Sequence, residues 1–158
     1  MTDDYASLRP INPGERVADH EARAALAGLR AAALTKAQWT HGAHLVSAVA
    51  LLDDVGRAAA EAEMPGLIRR LNESMGGVNS DTEGYHHTIT VFYLRALEAF
   101  LAPHGGASLG EKCEAALAAP IADRAYPLQF YDKAALFSVA ARRDYLPPVA
   151  PPYDDKRA

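Results

Sequence analysis

Cysteine and tryptophan each occur once in this chain, as Cys113 and Trp39, and the scarcity of thiol removes a class of explanation. A lone cysteine can form neither an intramolecular disulfide nor a cysteine cage for zinc, and it fits a reducing compartment. Positive charge is not in excess either. The formal net charge is -4, whereas a nucleic-acid or anionic-membrane surface calls for a clustered basic face. Long apolar runs are missing as well: AHLVSAVALL stops at Asp53 and Asp54, short of the roughly 18 residues that a membrane helix needs. The opening MTDDYASLRPINPGE is acidic and holds two prolines, where an export signal has a basic start and an apolar stretch. These absences lead to the expectation of a cytoplasmic protein with no nucleic-acid or membrane partner.

What the chain does have is alanine, leucine and helical periodicity. At 158 residues, 49% of them hydrophobic, it is long enough for one domain that buries about 68–70% of its unfolded surface. Residues 1–15 read as an irregular arm, and residues 145–158 as a proline-rich tail that cannot continue a helix. A first helix is expected from about Val17 to Ala32. The T-K-A-Q pattern at Thr35–Gln38 has the form of a capping box for a second helix, reaching to about Asp53. DDVG is a break, after which the pattern resumes to Gly76 and Gly77, with Pro65 as a point where a new helix could begin. S-D-T-E at Ser80–Glu83 is a second capping-box pattern. It opens the most apolar helix, to about Leu101, with Tyr85, Ile89, Phe92, Ala96 and Phe100 on a buried face. Ser108 caps a short helix to Leu117, and Asp132 another over Lys133–Arg143. No strand-like alternation is present, so the expected fold is an all-α single-domain bundle of about five or six helices.

Four of the six histidines fall in two groups, His41 with His44 and His86 with His87. Helical spacing places His41 and His44 on one stripe with Leu45, Ala48 and Leu52, and His86 on another with Ile89, Tyr93 and Leu97. His87 aligns instead with Val91, Leu94 and Glu98 near an edge. Convergence of His41, His44 and His86 would supply three nitrogens and an open position, as a catalytic zinc or iron site requires, with Glu83 or His87 as a further ligand or orienter. H-x-x-H is less specific than H-E-x-x-H, and buried histidines often serve only to satisfy hydrogen bonds.

A metal-free site is the other chemistry open to these residues: His86 as general base, with Tyr85, Thr88 or Thr90 bonding a small polar molecule. Each has a plainer reading, since a helical threonine often returns its hydroxyl to the carbonyl one turn earlier and a tyrosine often edges a core. Trp39 could wall such a pocket or simply anchor the core. Arg69, Arg70, Arg142 and Arg143 fit helix ends and surface, His20 and His104 fit the surface, and Cys113 fits a structural thiol. Ser138 lacks the G-x-S-x-G setting of a hydrolase nucleophile.

The segments WTHGAHL, GYHHTIT and FYDKAALFSVAAR with its proline-rich sequel together resemble a group of small bacterial all-helical proteins of unassigned activity. That group shares an aromatic-x-His-x-x-His-Leu segment, a Tyr-His-x-Thr-x-Thr segment and a closing Leu-x-Ser before prolines. The resemblance spans about residues 35–147 and implies a shared site at His41, His44, Tyr85, His86, Thr88 and Thr90, with Ser138 more distant. Where the group usually has an acidic residue, this chain has Ala43 and His87. Two functions follow as expectations. One is an enzyme acting on a small polar molecule, metal-assisted or not; the other is a non-catalytic ligand-binding or interaction module with a polar histidine core and a homodimer face around Phe92, Tyr93 and Phe100.

Overall fold

The computed structural model describes residues 4–155, and among these it contains six α-helices and no strand. They are α1 (Asp19–Arg30), α2 (His41–Ser74), α3 (His87–Leu101), α4 (Leu109–Leu117), α5 (Lys133–Leu136) and α6 (Val139–Arg143), with single 3-10 turns at Ala102–His104, Pro120–Ala122 and Tyr126–Gln129. The all-α expectation holds. α2 is central, with α1, α3 and α4 packed against it. Leu51 and Leu71 of α2 and Phe92 and Leu97 of α3 are wholly enclosed between them. No helix of the described residues is long and apolar enough to cross a membrane.

α2 is two helical runs joined at Gly56, whose φ of 80° and ψ of 170° lie outside helical space. Only glycine adopts that region readily, because a Cβ there collides with its own backbone. The break expected at DDVG therefore rests on one residue. Pro65 starts no new helix, since helical dihedrals run through it. Its ring costs one backbone hydrogen bond to the preceding turn and the helix continues past it.

Both long helices begin later than their capping-box patterns indicate. The Thr35–Gln38 box does close, with Thr35 N–H donating to the Gln38 side chain at 2.9 Å and Gln38 N–H to the Thr35 hydroxyl at 3.2 Å. It makes a turn and not a helix, because the Gln38 amide is buried and donates to the Tyr5 and Leu8 carbonyls at 2.9 and 3.1 Å, holding the N-terminal arm. Thr40 is the true cap, accepting from Ala43 N–H at 3.0 Å. Similarly, Ser80 N–H donates to the Glu83 carbonyl at 2.9 Å and closes a turn. Gly84 follows at φ 79°, where a Cβ would come within 2.3 Å of the Val78 carbonyl oxygen. α3 starts only after His86.

Near the C-terminus the single expected helix is two, because Ser138 interrupts it: its hydroxyl accepts from Ala141 N–H at 3.1 Å and so caps α6, while Asp132 caps α5. The tail then folds back over α3. Thr88, fully buried, donates to the Asp144 carbonyl and accepts from Leu146 N–H, both at 2.9 Å. Asp155 reaches Arg95 at 2.7 Å, and Arg95 also pairs with Glu61 of α2 at 3.0 Å. Phe92 lies beneath Tyr126, Phe130, Tyr131 and Tyr153, ring centroids 5.6 to 6.0 Å away. Of the three residues expected at a dimer face, Phe92 is thus covered by the chain's own later segments, while Tyr93 and Phe100 stay partly exposed.

Two substitutions test this account by urea denaturation. Gly56→Ala should lower unfolding free energy by about 1–3 kcal/mol through backbone strain alone, since open space surrounds the position. Ser47 is completely buried and its hydroxyl has no partner among the described residues. Ser47→Ala should accordingly leave stability unchanged or raise it by up to about 1 kcal/mol.

Candidate functional site

The late start of α2 puts His41 at its first position and His44 in the following turn, just beyond the Thr40 cap. Both rings line a cavity of about 280 Å³ between α2 and α3. The first run of α2 also gives it Leu45 and Ala48, and the run beyond Gly56 gives Met64 and Ile68. α3 contributes Ile89, Thr90, Tyr93 and Leu94. Arg124, Pro127 and Leu128 close it from the segment after α4, and Leu136 and Phe137 from the end of α5. Most of this wall is hydrocarbon, and Leu128 and Phe137, 39% and 53% exposed, stand where it opens.

His41 is half-buried, with Nε2 3.0 Å from the Ala122 carbonyl oxygen, so that nitrogen carries the proton and Nδ1 is the acceptor. Burial, more than any other influence, pulls its pKa below the usual 6.5. His44 meets the edge of Trp39, ring centroids 3.9 Å apart, and has no side-chain hydrogen bond among the described residues. Its ring lines the cavity and is exposed to solvent on its open side. Neighbouring protein atoms first, then repulsion from His41 and Arg124, lower its pKa below the usual 6.5. Both imidazoles are neutral at pH 7. Arg124 is exposed, and among the described residues its guanidinium has no ion-pair or hydrogen-bond partner. A second, shallower groove beside Trp39 and Thr40 shares His41 and Arg124 with the cavity, which places these two residues at the boundary.

His86 is elsewhere and does different work. Its Nδ1 accepts from Ile89 N–H at 3.2 Å, capping α3, and its Nε2–H donates to the Leu136 carbonyl at 2.8 Å. With both nitrogens engaged, it offers no lone pair to a metal and no free base to a substrate. The inward stripe inferred for His86 presumed a helix that begins before it. Tyr85, also ahead of the helix, is buried, with its hydroxyl 2.8 Å from His87 Nδ1 and the Arg69 guanidinium 4.5 Å over its ring. Burial pushes its pKa up to about 12, so it stays a phenol.

Thr88 and Ser138 are committed to the backbone contacts described above, and neither lines the cavity. Thr90 does line it, while its hydroxyl donates to the His86 carbonyl one turn back at 2.9 Å. Trp39 does not line the cavity; it meets His44 edge-on and lines the neighbouring groove. Of the proposed metal ligands, His41 and His44 share the wall and His86 does not join them. Among the described residues no three His, Cys, Asp or Glu side chains gather in a group that could hold a metal ion.

Sequence reading did not single out Arg124. Its one signal was position: it sits in the loop between Pro120 and Pro127, and loops carried on a rigid scaffold often bring functional groups to a site. Arg142 and Arg143 brace the turn before α3, through the Gly84 carbonyl at 3.0 Å and Asp81 at 2.6 Å. Cys113 is fully buried, and desolvation raises its pKa to about 12, which leaves an inert thiol. No known protein family matches the chain, and neither characterised proteins nor solved structures show a relative.

The depressed histidines fix a pH dependence. Unfolded imidazoles take up protons below about pH 6.5, while His41, His44 and His86 in the folded chain do not, so their contribution to stability is whole above that pH. It is lost as pH falls below 6.5 and through the lowered folded-state values. The melting temperature should decline from pH 7.5 to 5, and the NMR midpoint of the His44 ring should lie below 6.5; a midpoint at or above 6.5 would contradict the assignment. His86→Ala should cost about 1–2 kcal/mol from the lost cap, and His86→Asn, which restores an N-cap acceptor, should recover part of it.

Proposed function

We propose that the protein binds a small, mainly apolar molecule in the cavity between α2 and α3, with His41, His44 and Arg124 meeting a polar group at one end of it. The observation that carries this reading is the meeting, in one cavity, of a hydrocarbon wall with two neutral imidazoles and an unpaired guanidinium. Ligand sites commonly combine an apolar lining with a few convergent polar groups.

Binding is favoured over catalysis by the state of the histidines. A general base works best with a pKa near the working pH, and both rings are drawn below the ordinary imidazole value. Neutral imidazole instead presents one N–H donor and one acceptor nitrogen. The apolar wall also turns the expected ligand from a polar molecule to one with a single polar end. The buried thiol fits a reducing compartment, so a cytosolic setting belongs to the same reading.

Trp39 is the sole tryptophan and touches His44, so its emission reports occupancy without a label. Medium-length alcohols should change that emission saturably. Ile68→Phe, which fills the cavity, should weaken their binding roughly tenfold or more by calorimetry while circular dichroism stays helical. Absence of saturable binding to the parent chain, or binding unaltered in Ile68→Phe, would refute the proposal.

A further inference from the structure

The charges around the cavity restrict the ligand further, on the premise that the cavity is a binding site. Arg124 is the one charged residue among the described residues that line it. A guanidinium with no partner, at the boundary of an apolar space, is an unfilled electrostatic position, and its planar fork matches a carboxylate through paired N–H···O bonds. One cation balances one negative charge, which suits a monoanion better than a phosphate dianion. The neighbouring Asp123 is engaged locally, its carboxylate accepting from Ala125 N–H at 2.8 Å and its carbonyl from the Tyr93 hydroxyl at 3.2 Å.

Size narrows the class again. At the ~30 Å³ that liquid water takes per heavy atom, a cavity of about 280 Å³ holds roughly nine non-hydrogen atoms. The lining that would surround such a body is Leu45, Ala48, Met64, Ile68, Ile89 and Leu94, without a formal charge among them. Leu128 and Phe137 extend the apolar surface at the opening, where the chain of a ligand would pass from its head to the interior. His44, with its unengaged ring, is placed in the same wall as Arg124 and can donate one N–H to the headgroup.

We infer that the cavity takes a monocarboxylate with an apolar body of medium length, its headgroup paired with Arg124 and its tail lying between the two runs of α2 and α3. Octanoate and 1-octanol are the probes, since they share a tail and differ in the head. Calorimetry and Trp39 emission on the full chain at pH 7.5 should show octanoate binding roughly tenfold tighter than 1-octanol, as a charge-assisted pair implies. Arg124→Gln should remove that preference, bringing the octanoate affinity down to about that of 1-octanol in the same variant.

If 1-octanol binds as well as octanoate, or if the preference survives in Arg124→Gln, the carboxylate assignment is wrong and the apolar site stands. If neither probe binds the parent chain, both this inference and the binding function fall together. Butanoate serves as the length control: affinity equal to that of octanoate would show that the headgroup binds at the surface and would overturn the placement of the tail.

Discussion

One imidazole holds together the two parts of the molecule that the cavity needs. His86 closes the first turn of α3 through Nδ1 and, through Nε2–H, fastens the carbonyl of Leu136 at the end of α5. Leu136 and Phe137 are cavity walls, as are Ile89 and Thr90 in the turn that His86 caps. A single side chain therefore sets the start of one wall and the position of the wall facing it. The same corner is braced by Arg142 at the Gly84 and Tyr85 carbonyls and by Thr88 at Asp144 and Leu146. Protonation of Nδ1 would exchange its acceptor for a second donor and break the cap, so the corner depends on an imidazole that stays neutral.

The fold class was legible because periodicity over long alanine- and leucine-rich stretches survives errors of several residues at a boundary. The histidine site was less so, because helical phase is meaningful only once the first helical residue is known. Thr35 and Ser80 carry the residue pattern of a cap, and both make the local hydrogen bonds of one, yet each closes only a turn. The true starts are Thr40 and His86. Histidine is an uncommon cap, and nothing in GYHHTIT distinguishes a ring that accepts from a backbone N–H from one that faces a substrate. For His41 and His44 the boundary error was harmless, since they fall inside the helix on either count. For Tyr85 and His86 it changed the reading from site to scaffold.

Arg124 illustrates the opposite case. It lies in a segment with no regular period, and its importance comes from what long-range packing brings near it, namely the start of α2 and the end of α5. Its positive charge and the apolar surroundings act in the same direction on His41 and His44, keeping both rings unprotonated. The polar end of the cavity is consequently a set of fixed hydrogen-bonding dipoles beside one permanent charge. Such a set is already in the state that would meet an anion, and little of the binding energy is spent on changing protonation.

The glycine that divides α2 gives the cavity an arithmetic of its own. Met64 and Ile68 belong to the run after Gly56, while His41, His44, Leu45 and Ala48 belong to the run before it. Within a helix each residue turns the chain by about 100° and advances it by about 1.5 Å. Loss of one residue between Gly56 and Met64 would therefore swing both side chains about a quarter turn out of the lining, with every helix still formed. The cavity is in this sense a matter of register between two runs of one helix, and the count of residues after the break is as much a part of it as the side chains that face it.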